Sequence, residues 1–188
     1  MLPAVTYTGP GAGSHVGVIT LNRPDNRNSM TPELLDAFAD ASAAACQDRE
    51  LRCLIVTGTG HCFSSGADFK ATLQRDAGEP HERSYAMYAP FLSLLDLDVP
   101  IIGALNGHTV GGGFGLALVC DLRVGNRAAK YGANFVKLGL APGMAISYLL
   151  PRIIGLPKAN ELLFTGRLVD GREAETLGIL NRAVPTAD

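Results

Sequence analysis

The stretch PIIGALNGHTVGGGFGLALVCDLRV, residues 100–124, decides the fold. Read with Val99, it holds the longest uncharged run of the chain, Val99 to Cys120, which as one helix would be long enough to cross a bilayer. Pro100, Asn106, His108 and six glycines break that reading, because a lipid-facing helix has no water to satisfy the backbone groups they would free. A buried strand over 100–105 fits better, followed by the turn Gly111-Gly112-Gly113, a helix from Phe114 to Val119, and a short strand from Asp121 to Val124.

The same alternation continues outward. Val16 to Leu21 reads as a strand closed by an Asn-Arg-Pro-Asp turn. Thr31 then has the chemistry of an N-cap, with Pro32 at the first helical position and Glu33 in the first turn. Leu34, Phe38, Ala41 and Ala45 recur at helical spacing and predict an amphipathic helix to about Asp48. Cys53 to Thr57 is a further buried strand, ending at Gly58-Thr59-Gly60. Residues 70–90 are the most polar segment and are expected to form a mobile flap or a loop-helix crossing. Lys158 to Phe164 and Arg172 to Leu177 predict two short helices around Thr165-Gly166-Arg167. Strands alternating with helices imply an α/β fold, expected as a single domain over residues 1–188.

Composition narrows the function. Of 188 residues, 47% are hydrophobic and 18% charged, which suits a packed core and excludes disorder. Sixteen basic and eighteen acidic residues give a net charge of −2, so no global basic field exists to hold nucleic acid or an anionic membrane. A local cationic contact to a phosphate stays open. Cys46, Cys53, Cys62 and Cys120 show neither CxxC nor paired His/Cys spacing, so no metal site or disulfide is expected and a reducing compartment is implied. No signal-peptide pattern opens the chain, and the expectation is a soluble, cytoplasmic protein.

Familiar motifs fail in turn. GxGxxG on Gly111 and Gly113 would need glycine at 116, which is Leu, and no GxxxxGK[ST] is present. Ser64 lacks the glycine two residues before it that a nucleophile elbow needs, and nothing local favours a Ser64–His108–Asp121 triad. The two glycine turns say more together. Each follows a buried strand and precedes a helix, so each can aim backbone N–H groups at one point. Two such donors on one carbonyl oxygen form an oxyanion hole. From spacing alone, turns and close packing explain the same glycines.

Longer strings resolve this. Leu21-Asn22-Arg23-Pro24 with Asn28-Ser29-Met30, Phe63-Ser64-Ser65-Gly66-Ala67-Asp68, and Asn106 through Gly113 resemble the enoyl-CoA hydratase/isomerase (crotonase) superfamily. Cys120-Asp121-Leu122-Arg123, Leu138 through Gly143, Thr165-Gly166-Arg167 and Gly178 through Val184 follow in the family's order. The resemblance covers about residues 16–185 and implies a crotonase-like spiral of ββα units holding an acyl-CoA thioester. It assigns the oxyanion donors to the N–H groups of Ala67 and Gly112, with no cofactor beyond the coenzyme A of the substrate. It implies that the turns Asp25-Asn26-Arg27-Asn28 and Gly66-Ala67-Asp68 cradle the adenine and pantetheine parts, Arg27 adding a phosphate contact. A homo-trimer or hexamer and lyase or isomerase chemistry of acyl-CoA metabolism follow from the same likeness.

The chain also departs from the family pattern. Hydratases carry one glutamate two residues after the triple glycine and another twenty residues later; here those positions are Gly115 and Phe135. Some isomerases place an acid after the proline of the LGxxP string, where this chain has Gly143. The thioester-holding parts are therefore expected without the usual acid and base. His108, Asp68 and Tyr88 are the nameable proton donors, imidazole being the group that titrates nearest neutral pH. The alternative is a catalytically inactive CoA-binding or assembly protein. Family members run on past the Asn-Arg-Ala-Val string into further helices, so the core is expected to be short at its C-terminus.

Overall fold

The computed structural model describes residues 2–67 and 80–185. Two sheets organise them. Strands β1 (Val5–Thr8), β2 (Val16–Leu21), β3 (Cys53–Gly58), β5 (Ile101–Leu105), β7 (Leu122–Asn126) and β10 (Arg182–Val184) lie side by side in that order. Only the β1–β2 pair is antiparallel in this sheet. The smaller sheet has the order β4 (Cys62–Ser64), β6 (His108–Val110), β8 (Lys130–Gly132), β9 (Val169–Asp170), with β9 antiparallel. Each of β3, β5 and β7 in the large sheet is followed directly by β4, β6 or β8 in the small one. The chain thus winds as a spiral of ββα turns, the architecture expected from the resemblance.

Helices α1 (Pro32–Gln47) and α3 (Gly112–Val119) are where the residue patterns put them. Helix α1 is capped by Thr31, whose Oγ accepts from Leu34 N–H at 3.2 Å, and it buries Leu34, Leu35, Phe38, Ala41 and Ala45. All eight residues of α3 are buried, as befits a helix that is apolar on every side. Asp121, just beyond it, accepts from Ile101 N–H at 2.8 Å and so ties the helix exit to the start of β5. Helices α4 (Ile146–Ile154), α5 (Leu156–Thr165) and α6 (Gly171–Thr176) close the described chain. No helix among the described residues is long and apolar enough to cross a membrane.

The sequence leaves the polar 70–90 segment open between a flap and a loop-helix crossing, and its described part belongs to helix α2 (Pro80–Leu92), in keeping with the second. Its apolar positions Met87, Tyr88 and Phe91 fall at helical spacing, and Phe91 meets Phe38 of α1 edge-on, with ring centroids 4.7 Å apart. Charges at its start and Pro90 inside it mask that signal in the sequence. Residues 68–79, Asp68 among them, lie outside the described residues.

What positions the glycine turns is a zip between two irregular segments. After β2 the chain makes a 3-10 turn, Pro24–Asn26, and then holds Arg27 and Asn28 in the left-handed region at φ 60° and 50°. Arg27 O accepts from Ser65 N–H at 3.0 Å, Asn28 O from Ser64 Oγ at 2.8 Å, and Gly66 O from Met30 N–H at 2.9 Å. The Asn28 side chain is fully buried: Oδ1 accepts from Arg23 N–H at 2.7 Å, and Nδ2 donates to Thr59 O at 3.1 Å and Cys62 O at 2.9 Å. Asn28→Ala takes away these bonds, leaving Cys62 O only its longer one from Asn106 Nδ2 at 3.3 Å, and removes a side chain suited to the left-handed region. A loss of about 3 kcal/mol is expected in urea unfolding, against under about 0.5 kcal/mol for exposed Asn26→Ala.

Candidate functional site

The zip delivers Gly66 onto the triple glycine. Gly66 has φ +83°, and a Cβ there would lie 2.8 Å from both Gly112 N and Val110 O. A Cβ on Gly113 would overlap the Ser64 carbonyl. The end of β4 and the start of α3 are therefore in backbone-to-backbone contact, an approach that only glycine allows. Gly111, at φ 59°, turns the chain from β6 into α3, and its own N–H is used by Gly132 O at 3.0 Å.

The N–H groups that follow are left over. Gly112 opens a helix with no side-chain cap, so its N–H has no intrahelical acceptor. Ala67 bridges Met30, but the hydrogen bond of that bridge runs from Met30 N to Gly66 O. Among the described residues, neither the Ala67 nor the Gly112 N–H has an acceptor. The positive end of the α3 dipole points to the same place, and its first turn holds no acid.

The side chains around this point are mostly apolar. A Cβ on Gly112 would overlap Met30 Sδ and lie 3.5 Å from the Tyr88 ring. A Cβ on Gly115 would overlap Met144, which is buried. Phe135 is buried as well. Tyr88 spans from Gly112 to Gly143, and burial raises its phenol above the usual tyrosine range. Met144 and Ala145 carry φ of 56° and 52°, a left-handed pair of non-glycine residues holding the Met144 side chain against Gly115. Met30 and Met144 were not singled out in the sequence. An Asn-Ser-Met string hints at the first, and nothing marks the second, because its strained backbone falls on residues that carry no turn signal.

The other expected site residues are distributed differently. His108 sits at the far end of β6 from Gly111, and its Nδ1 accepts from Lys130 N–H at 3.0 Å. Its ring stands edge-on to His61, centroids 6.5 Å apart. That bond needs a neutral ring with the proton on Nε2. The histidine is hydrogen-bonded within the fold, and its role as a proton donor stays a proposal. The Ser64–His108–Asp121 grouping is not assembled, since each of the three bonds a different backbone group. Asp25, Asn26 and Arg27 are exposed on the outer side of the turn. The Arg27 charge reaches Cys62, opposing the burial that raises that thiol. Asn28 has no side-chain group left to offer a ligand; its place in the turn is positional.

Known proteins share the sequence pattern and the fold. The family model "Enoyl-CoA hydratase/isomerase" matches residues 11–188. A protein of Mycobacterium bovis described as a probable enoyl-CoA hydratase is 35% identical over 92% of this chain and 66% of its own length. A second from that organism, similarly described, is 40% identical over 90% of this chain and 62% of its own. The chain thus spans about two thirds of the length of such relatives. The crystal structure of an enoyl-CoA hydratase from Bacillus anthracis superposes with a TM-score of 0.90 at 30% identity, covering 97% of this chain and 70% of that one. An enoyl-CoA hydratase from Mycobacterium smegmatis does so at 0.86 and 28% identity, covering 98% and 71%. With a family model matched over nearly all its length and the spiral reproduced in solved relatives, the chain belongs to the enoyl-CoA hydratase/isomerase family.

Proposed function

We propose that this chain binds acyl-CoA thioesters and polarises the thioester carbonyl between the N–H groups of Ala67 and Gly112. The observation that supports this most is the backbone contact of Gly66 with Gly112, beside two N–H groups that have no acceptor among the described residues. Fixed donors of this kind act on charge as it develops on oxygen and need no reorganisation when it does. The enolate-like oxygen of a thioester is such a charge, and the step needs no cofactor from the protein. The exposed Asp25–Arg27 turn is assigned to the adenine and phosphate end of coenzyme A, with the Arg27 guanidinium as the phosphate contact and Asn28 holding the turn. The Gly66–Ala67 turn is assigned to the pantetheine arm, and Asp68, expected to share in it, lies outside the described residues.

Two-glutamate hydration is not part of this reading. Positions 115 and 135, to which the family resemblance assigns the acids, are glycine and phenylalanine. Isomerisation, hydration by another route, and hydrolysis of the thioester remain within the proposed class. One observation favours a second reading, a CoA-binding or assembly protein without turnover: Met144 fills the space beside Gly115, so no proton-transfer group stands there. Incubation with saturated, 2-enoyl, 3-enoyl and aryl CoA thioesters in heavy water, read by mass spectrometry, separates the two. Water addition, deuterium uptake with a double-bond shift, or free CoA identifies an enzyme and its reaction. Unchanged thioesters that co-elute with the protein identify the binding protein.

If turnover is found, removing the Gly112 donor should cost about 10²–10³ in kcat, roughly 2.7–4 kcal/mol. A side chain at 112 collides with Met30 Sδ, so Gly112→Pro is best made on Met30→Ala, with Met30→Ala alone as reference. Equal rates in the two would remove Gly112 from the mechanism.

The proposal extends to assembly as a homo-trimer or hexamer in the cytoplasm. Tyr148, Leu156 and Phe164 on α4 and α5 are 58%, 60% and 74% exposed, large apolar groups that association would cover. Sedimentation velocity is expected to show no stable monomer at micromolar concentration. A well-behaved monomer there would contradict it.

A further inference from the structure

Of the side chains nearest Gly112 among the described residues, Tyr88 is the one with a strong hydrogen-bond donor. Its ring edge lies 3.5 Å from where a Cβ on Gly112 would stand, and its hydroxyl 2.5 Å from where a Cβ on Gly143 would stand. The ring therefore fits only because position 143 is glycine, and at 112 it reaches van der Waals distance. The other side chains that meet Gly112 and Gly115 are the thioethers of Met30 and Met144, which are weak acceptors and no donors.

Its hydroxyl differs from those of the chain's other inward-facing tyrosines. Tyr7 donates to Asp48 at 2.9 Å, and Tyr131 donates to Asn126 O at 2.7 Å. A tyrosine that gives up water for protein normally finds such a partner. Tyr88 is half-buried, and among the described residues its hydroxyl has none. A half-buried phenol whose ring edge borders Gly112, with no partner for its hydroxyl among the described residues, is a donor waiting for a ligand acceptor.

We propose that Tyr88 is a specificity residue: its hydroxyl donates a hydrogen bond to an oxygen carried on the acyl chain close to the thioester. The site then favours oxygenated short acyl groups over plain alkyl ones, since an alkyl ligand covers the hydroxyl and leaves it unpaired. This rests on the reading that the thioester carbonyl lies at Gly112, and it adds which acyl groups that position accepts. The small residue at 143 is part of the device, because any side chain there would push the ring away.

Calorimetric titration tests it with butyryl-CoA and each enantiomer of 3-hydroxybutyryl-CoA, against the wild-type chain and Tyr88→Phe. In the wild type, one hydroxybutyryl enantiomer is expected to bind about tenfold more tightly than butyryl-CoA. Tyr88→Phe, which removes one oxygen atom and keeps the ring, is expected to bring the two within about twofold without weakening butyryl-CoA. Should Tyr88→Phe fail to fold by circular dichroism, Gly143→Ala carries the test by the same criterion, since it displaces the ring with its hydroxyl intact. Equal wild-type affinities, or a preference that survives the substitution, overturn the role of Tyr88 while leaving thioester binding in place. If no thioester binds the wild type at all, the thioester reading itself falls, and this inference with it.

Discussion

The contact between the backbones of Gly66 and Gly112 is the constraint on which the rest depends. With 2.8 Å between a notional Cβ on Gly66 and Gly112 N, even alanine would drive the two segments apart. The neighbouring pair tightens the same seam, because Gly113 rests on the Ser64 carbonyl. Holding peptide planes this close has an electrostatic consequence. Gly112 is buried and its N–H has no acceptor among the described residues, and a buried donor left so costs about 1–3 kcal/mol. That cost is sustained by bonds made elsewhere: the zip from Arg27 to Met30 on one side, the fully buried α3 on the other. A ligand oxygen entering between the two turns would recover it.

Two pairs of non-glycine residues in the left-handed region flank this seam, and they are stabilised by different means. At Arg27 and Asn28 the means is polar. Asparagine tolerates that conformation, and its amide is locked to Thr59, Cys62 and Arg23. At Met144 and Ala145 no side-chain hydrogen bond helps. The Met144 side chain is packed against Gly115, and Ala145 forms the N-cap of α4 without a capping side chain. Strain of this kind persists only where surrounding packing over-determines it. Here it fixes the two walls of one site, the turn beneath Gly66 and the loop over Gly115.

Strands β2, β3, β5 and β7 and helices α1, α3, α5 and α6 were legible in the sequence, whereas β1, β10 and α4 were not; the plainest signals are regular faces, since α1 repeats at Leu34, Phe38, Ala41 and Ala45, and α3 is apolar throughout. The small sheet was not legible either. Its strands are two or three residues long, too short for alternation to register, and their positions follow from the winding of the spiral. Helix α2 stayed one of two readings because its charged beginning and Pro90 outweigh the Met87–Tyr88–Phe91 face. The glycine turns were legible as turns and, through the resemblance, as a pair. Their mutual contact was not, since nothing local says that residue 66 meets residue 112. His108, three residues before Gly111, looks near the glycine turn along the chain, and the structure places it at the other end of a strand with its ring bonded to Lys130 N–H.

The relation between Gly115 and Met144 bears on what the missing acid means. Loss of a buried glutamate alone would leave a hole, and holes in a packed core cost about 24 cal/mol per Å³ of cavity. No hole marks this position: Met144 occupies it so fully that a Cβ on Gly115 would overlap its Cβ and Cγ. Methionine is unbranched and adapts to irregular gaps, and the left-handed backbone at 144 aims it here at a cost in strain. Glycine at 115 and methionine at 144 are therefore one packing unit, and an acid at 115 is incompatible with the loop as it stands. The apolar lining is a built feature of the site rather than a vacancy in it. In such a lining a single hydroxyl, that of Tyr88, carries more weight than it would among the carboxylates of a hydratase, because hydrogen bonds strengthen as the surrounding dielectric falls.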